Sequence, residues 1–418
     1  MNVLLVGLNF APEPVGIGVY SGDMARWLAD RGHRVRVLTA PPYFPQWQAR
    51  GNRYRRERFG GAELWRCPLW VPRRPSGLKR LLHLASFALS SLPVLLAQAR
   101  WRPDVVITVA PAFFCAPGAL LLTALCGRGT ASWLHIQDFE LDAAFELGLL
   151  KGRLLRRLAE GWERRTLRGF ARVSTISGAM LQHAIAKGVA PERALLLPNW
   201  VDLAAIQPQP PGQRASNPYR RELGFGPEQR VLMYSGSMNK KQGLELLVAA
   251  IERLADVPDL VWLLAGEGPS KTELADATAG MDNVRLLPLQ PAERLNDWLN
   301  LADVHLLPQK AGAADLVLPS KLLGILASGR PVVASSPASS ELGQIADQAG
   351  MRVEPEDGEA FAAALRQLLG NGALRQRLGE AGRQLAERRY GREAVLGQME
   401  RQMEVLNAGH RPGKGQRP

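Results

Sequence analysis

The chain has 418 residues, 46% of them hydrophobic and 22% charged, with a formal net charge of +13. That length exceeds what one hydrophobic core organises and predicts two domains. The composition excludes a largely disordered chain, apart from the Gly-, Pro- and Arg-rich stretch after Asn407. Cys67, Cys115 and Cys126 have no metal-type spacing. They read as buried free thiols, which excludes a disulfide scaffold.

The N-terminus carries neither a basic n-region nor a small-residue cleavage site, so Asn2 to Leu8 reads as a first strand and the protein is expected to stay in the cytoplasm. A turn-rich stretch with Gly16 and Gly18 follows. Tyr20 to Asp30 then carries Tyr20, Met24, Trp27 and Leu28 at helical spacing, and Val35 to Thr39 is the next strand. Strand, glycine loop, helix and strand within some forty residues open a doubly wound parallel sheet. Between Arg50 and Arg102 stand twelve Arg and Lys against Glu57 and Glu63, and between Lys151 and Arg172 eight against Glu160 and Glu163. Such concentrated positive charge attracts nucleic acid or anionic lipid alike, unless it is only a solvated face. No base-stacking pattern accompanies it, so nucleic acid is not expected.

Leu81 to Ala99 and Ala110 to Cys126 are apolar enough to resemble membrane spans, but they contain Pro93, Pro111 and Pro117. They read as helices that pack on the sheet, the first bordering lipid at its end. Asp104 to Val109, Ser132 to Ile136, Arg172 to Ile176 and Ala194 to Leu197 complete the strands of the first half. Gln207 to Pro218 reads as a linker. The pattern then restarts with strands at Val231 to Tyr234, Leu260 to Ala265, Val284 to Leu287, Val304 to Leu307 and Pro331 to Ala334, and a helix at Leu244 to Arg253. Gly379 to Leu406 reads as one long charged helix. The predicted organisation is α/β: a domain over 1–205, a second over 220–385, a helix over 386–407 packing back on the first domain, and a tail over 408–418. Two such halves leave a cleft between them as the expected ligand site.

A diphosphate needs free backbone N–H groups, close approach and positive charge. Glycines at strand ends supply the first two: Gly16 and Gly18, Gly236 with Ser237, and Gly266-Glu267-Gly268. Lys240 and Lys241 flank the second loop, while Ser320 and Lys321 open a helix whose N–H groups and dipole suit a phosphate. In the first half, His135 and Asp138 fall where a buried strand turns polar. There, His135 suits a sugar hydroxyl or leaving group and Asp138 an acceptor.

Asn9 to Tyr20, Thr39 to Trp47, His135-Ile-Gln-Asp138, Pro198 to Asp202, Gly266 to Pro269, Pro319-Ser-Lys321 and Ala327 to Pro331 follow one another in an order that resembles the retaining GT-B glycosyltransferases of family GT4. More narrowly, the chain resembles the exopolysaccharide enzymes of colanic acid biosynthesis, and the resemblance covers essentially residues 1 to 400. The resemblance implies two Rossmann-like domains facing each other across a cleft. It places Gly16 and Gly18 at the phosphates and transferred sugar, His135 at the sugar, Ser237 with Lys240 or Lys241 at the phosphates, and Pro319-Ser-Lys321 at the nucleotide. Many members carry two glutamates eight positions apart, where this chain has Leu316 and Gly324. Glu267 or Asp315 is the candidate substitute.

The implied reaction is retaining transfer of a hexose from a nucleoside-diphosphate sugar to a polyprenyl-diphosphate-linked saccharide at the inner face of a bacterial plasma membrane. With no Asp-x-Asp motif, lysines and helix N-termini would neutralise the diphosphate, and no metal or other cofactor is expected. Two other readings share these features: a sugar-nucleotide epimerase of the same fold, and a non-catalytic scaffold that kept the fold without the glutamate pair.

Overall fold

The computed structural model describes residues 1–13, 16–43, 46–73, 77–146, 152–210, 212–313 and 318–410. By its contacts the chain divides into two units, 1–198 together with the segment from Leu396 onward, and Asn199–Val395.

The first unit is built on apolar Val- and Leu-rich runs covered on both faces, as parallel strands require. In order they are β1 (Asn2–Gly7), α1 (Ile17–Asp30), β2 (Arg34–Thr39), β3 (Arg55–Phe59), β4 (Ala62–Arg66), α2 (Gly77–Ala97), β5 (Val105–Ala110), α3 (Ala116–Cys126), β6 (Ala131–Ile136), α4 (Glu140–Glu146), α5 (Arg153–Gly169), β7 (Arg172–Thr175), α6 (Gly178–Ala186) and β8 (Ala194–Leu196). The sheet order is β3-β4-β2-β1-β5-β6-β7-β8, and only the β3–β4 pair is antiparallel. That hairpin was not among the expected elements. It turns on Gly60 and Gly61, whose φ values of 49° and 81° fit the tight turn that matches strand twist. Phe87 and Leu95 of α2 and Ala119 and Leu122 of α3 pack with Leu4, Val6 and Val106 of the sheet. Cys67 and Cys115 are buried within this layer, and all three cysteines are free thiols.

The second unit contains α7 (Pro218–Glu222), β9 (Arg230–Ser235), α8 (Glu245–Arg253), β10 (Leu260–Ala265), α9 (Lys271–Ala277), β11 (Val284–Leu287), α10 (Leu295–Leu301), β12 (Val304–Leu307), α11 (Ser320–Ala327), β13 (Val332–Ser335), α12 (Glu341–Ala349), β14 (Gly350–Val353), α13 (Gly358–Gly370) and α14 (Gly372–Arg389). Its sheet is parallel throughout, in the order β11-β10-β9-β12-β13-β14. That is the doubly wound order in which the chain reverses direction between β9 and β12, and ligands bind beyond the strand ends at such a reversal. Leu247, Ile251, Phe361 and Leu365 cover one face, while Leu322, Leu326 and Ile345 belong to a separate apolar cluster.

Two boundaries differ from the sequence expectation. The division falls at Pro198, not at 205, because residues 199–206 pack with the second unit. Val201 donates its N–H to Tyr390 O at 2.8 Å and bridges to Gly391, and Ile206 joins the cluster of Leu326 and Tyr390. The stretch expected to be a linker is tied down as well, since Gln207 N and Gln209 N donate to Asn296 and Asn300 at 2.9 and 2.8 Å. The single long helix expected from Gly379 is two, α14 and α15 (Arg392–His410), interrupted at Tyr390–Gly391 where the backbone turns to the Val201 bridge.

Candidate functional site

In the second unit, β9 and β10 run out into two loops that stay zipped together. Gly236 N donates to Ala265 O at 2.9 Å, Met238 N to Glu267 O at 2.9 Å, and Ser270 N to Met238 O at 3.0 Å. The close approach demands glycine on one side. A Cβ at Gly266 would lie 2.0 Å from Gly236 O, and one at Gly268 would lie 2.2 Å from Met238 O. Gly236 itself has a φ of 146°, and the Lys321 side chain passes within 3.3 Å of where its Cβ would stand. Lys321 therefore folds over the Gly236 turn. Its Nζ lies 3.9 Å from the centre of the Tyr234 ring and 3.4 Å from Gln242 Oε1. Burial lowers this ammonium to about 7, because among the described residues little besides the ring face and one amide oxygen replaces its water. Exposed Lys240 and Lys241 share the short helical turn that carries Gln242, and exposed Ser237 accepts from Asn239 Nδ2 at 3.0 Å. Ser320 is exposed at the start of α11, with Pro319 preceding it as the cap. A half-desolvated cation, two exposed lysines and a helix start thus gather at the reversal point of the sheet, an arrangement suited to a diphosphate.

The first unit is organised differently. His135 is the penultimate residue of β6, near the strand's C-terminal end as expected, but its side chain is 1% exposed and does not open to solvent. Its Nδ1 is 2.8 Å from Ser174 Oγ and its Nε2 is 3.2 Å from Gln137 Nε2. With the Gln137 amide donating to Nε2, Nδ1 carries the proton and donates to Ser174 Oγ, which also accepts from Trp133 Nε1 at 2.8 Å. Burial holds the imidazole down at about 4, so it is neutral at physiological pH. Asp138 is exposed just beyond the strand. Two residues on, Glu140 accepts from Phe113 N at 3.1 Å, and burial lifts its carboxyl to about 8. Gly16 caps α1 with a φ of 70°, and no atom of the described residues comes within 4 Å of a Cβ position there. Gly18 is buried, and the space a Cβ would need is taken by Glu13 at 3.0 Å. Glu13 in turn accepts from Asn9 Nδ2 at 2.9 Å and Tyr43 N at 3.1 Å.

Residues 15–200 match the family described as glycosyl transferase 4-like domain, and residues 229–371 match glycosyl transferases group 1. The colanic acid biosynthesis glycosyl transferase WcaI of Escherichia coli K12 is 45% identical over 410 residues, 95% of this chain and 98% of that protein. The chain is a family GT4 glycosyltransferase. The glycosyltransferase has the GT-B fold of solved relatives. Sucrose-phosphate synthase of Thermosynechococcus elongatus superposes with a TM-score of 0.72 at 18% identity, covering 98% of this chain and 100% of that one. HepE of Anabaena, solved in complex with UDP and glucose, gives 0.67 at 14% identity over 96% and 99%.

Of the residues expected at the site of this glycosyltransferase, Ser237, Lys240, Lys241, Gly266, Glu267, Gly268, Ser320 and Lys321 fall in one neighbourhood of the second unit. Within it, Gly266 and Gly268 act as packing positions under the turn, and Glu267 is ion-paired with Lys271 at 2.7 Å. Gly324 lies in α11 with its Cβ direction 3.1 Å from Leu299 Cδ1, so a glutamate side chain there would meet an apolar neighbour. Leu316 and Asp315 lie outside the described residues. Tyr234 and Gln242 were missed, as were Gln137, Ser174 and Glu13. The only sequence signal for the first two was their position at either end of a glycine-containing loop.

His135→Ala is expected to cost about 2 kcal/mol in urea denaturation, because it leaves Gln137 and Ser174 buried with fewer partners. The unfolded imidazole titrates near 6.5 and the folded one near 4. Its contribution is therefore complete above pH 6.5 and is lost as pH falls toward 4, a limb the variant should show less steeply. His305, also held at about 4, adds to the same acid sensitivity.

Proposed function

We propose that this glycosyltransferase moves a hexose, with retention at the anomeric carbon, from a nucleoside-diphosphate sugar to a polyprenyl-diphosphate-linked saccharide in exopolysaccharide synthesis of the colanic acid type. The observation that carries the reading is Lys321 folded over the Gly236 turn beside Lys240 and Lys241. Negative charge grows on a departing diphosphate as the transition state is reached, and cations already placed there lower the barrier without rearrangement. The bond from the anomeric carbon to the diphosphate oxygen breaks as that from the carbon to the acceptor oxygen forms, and the acceptor hydroxyl's proton passes to the departing diphosphate oxygen. Asp138, exposed past β6, orients the acceptor hydroxyl, and His135 acts one step back by fixing Gln137. The lysines and the α11 N-terminus neutralise the diphosphate, so no metal is required. The enzyme works as a peripheral protein on the cytoplasmic face of the plasma membrane, drawn there by its basic first half.

Thermal shift of the full chain against GDP, UDP, ADP and TDP, with magnesium and with EDTA, tests the donor half of this reading. One nucleoside diphosphate is expected to raise the melting temperature equally in both buffers. A shift that needs magnesium would overturn the metal-free site, and no shift at millimolar nucleotide would favour the non-catalytic scaffold.

A further inference from the structure

The helix α2 is apolar on both of its long faces. His83, Phe87, Ser91 and Leu95, four residues apart, are buried, and Phe87 and Leu95 pack on the sheet. The opposite face carries Leu78, Leu82 and Leu89, which are 64%, 52% and 72% exposed, and continues through exposed Pro93 and Ala97. Beside it, α3 adds Leu121 and Leu125, 48% and 61% exposed, and Trp70 stands out at 46% where its N–H and C=O are held by Ser86 and His83 of α2. The segment Gly77–Arg100 is long and apolar enough to cross a membrane, yet less than a third of its most apolar stretch is buried. It is also fastened along its length: Ser90 Oγ donates to Pro68 O, and Tyr54 OH donates to Ser90 O at 2.9 Å. A helix anchored in this way cannot span. It can lie along an interface, its outer leucines in the acyl boundary.

The charge around this face selects the partner. From Leu64 to Gln137 there are eight Arg and Lys and one acid, Asp104, and that carboxylate accepts from Asn2 N at 2.7 Å. Lys79 and Arg80 are exposed on the first turn of α2, and Arg100 and Arg128 are exposed beyond the far ends of α2 and α3. The arginines of β3 suit the role less well, because Arg55 is paired with Glu57, and Arg56 is paired with Glu63 and stacked on Trp65.

We propose that the outer faces of α2 and α3, with Trp70, form the surface by which the protein docks onto an anionic bilayer, inserting leucines while the basic rim meets lipid phosphates. This rests on the reading of a lipid-linked acceptor, and it places attachment on α2 and α3, away from the charged hairpin.

The test is flotation of the full chain with vesicles of phosphatidylglycerol and phosphatidylethanolamine, and with phosphatidylcholine alone. The wild type should partition onto the anionic vesicles, and Leu82→Asp/Leu89→Asp should lose at least tenfold. Arg55→Glu/Arg56→Glu/Arg58→Glu should retain most of the binding. Should the α2 variant fail to fold, Leu121→Asp/Leu125→Asp on α3 reads the same surface. Quenching of tryptophan by brominated acyl chains, lost in Trp70→Phe, reports insertion directly. Leucine variants that float like the wild type would overturn the proposal. So would a wild-type dimer in sedimentation that the leucine variants dissociate, which would make a second copy the occupant. Turnover on a water-soluble acceptor analogue should be unchanged in the leucine variants. Its absence in the wild type would instead count against the transferase reading and leave the docking result standing.

Discussion

Lys321→Ala is expected to weaken nucleoside diphosphate binding roughly 30- to 100-fold, about 2 to 3 kcal/mol, the range of a hydrogen bond to a charged group. The free protein should melt no lower. Lys321 makes no carboxylate ion pair among the described residues, so removing it strands no buried partner and relieves a desolvated ammonium. The same group gives the binding a pH signature. Its folded pKa is lowered to about 7 from an ordinary 10.5, so in the free protein it is mostly neutral above pH 7. An arriving diphosphate restores the charge, and the proton comes from solvent. Affinity should therefore be level below pH 7 and fall above it, by at most about tenfold per pH unit. Calorimetry at pH 8 in two buffers of different ionisation enthalpy should reveal proton uptake in the wild type and none in Lys321→Ala. Equal affinity in the two proteins would remove Lys321 from the site.

Gly266→Ala should be among the most destabilising single-methyl changes in the second unit, on the order of 3 kcal/mol by urea denaturation. The new Cβ would stand 2.0 Å from Gly236 O, so one of the two zipped loops must give way. Gly268→Ala meets Met238 O at 2.2 Å and carries a φ of 152° besides, so a similar loss is expected. Because the displaced backbone is the turn under Lys321, both variants should lose nucleotide affinity at temperatures where they remain folded. Gly16→Ala is the contrast: with a φ of 70° but no contact from the described residues at its Cβ position, only backbone strain of about 1 kcal/mol applies. A Gly266→Ala protein as stable as the wild type would mean that the loops are not held as described.

The parallel strands were legible because strands covered on both faces are unbroken apolar runs, as in Val105–Ala110 and Leu260–Ala265. Two edge strands escaped that rule, although the edge strands β8 and β11 were read correctly. Arg55–Phe59 is four charged residues and a phenylalanine, and only Gly60-Gly61 marked its turn. Gly350–Val353 is four residues long with an arginine inside it. The break at Tyr390–Gly391 is fixed by the bridge to Val201, far away in sequence, and its local sign, Gly391 after Arg388 and Arg389, was passed over.

The same division holds at the site. Glycines and lysines after strands suit phosphate chemistry by type and place, and the neighbourhood that Ser237, Lys240, Lys241, Ser320 and Lys321 share was legible from their positions after strands and at a helix start. The Tyr234 ring beneath Lys321 was not, because tertiary folding brings it there. His135 was legible as a strand residue, but its burial was not. It pairs with Val109 and Ser174 of the two flanking strands inside the sheet, and the open strand end belongs to the residues after it. Gly18 looked like a phosphate glycine, whereas its lack of a side chain makes room for Glu13 five residues earlier.

The central claim is transfer, and its most direct measurement follows both substrates at once. The full chain is incubated with individual nucleoside-diphosphate hexoses, with and without a polyprenyl-diphosphate-linked saccharide, while nucleoside diphosphate release and the lipid-linked product are followed by mass spectrometry. The account predicts release that depends on the acceptor, and a product heavier by one hexose with the donor's anomeric configuration kept. Conversion of the nucleotide sugar to an isomer in the absence of any acceptor would contradict it.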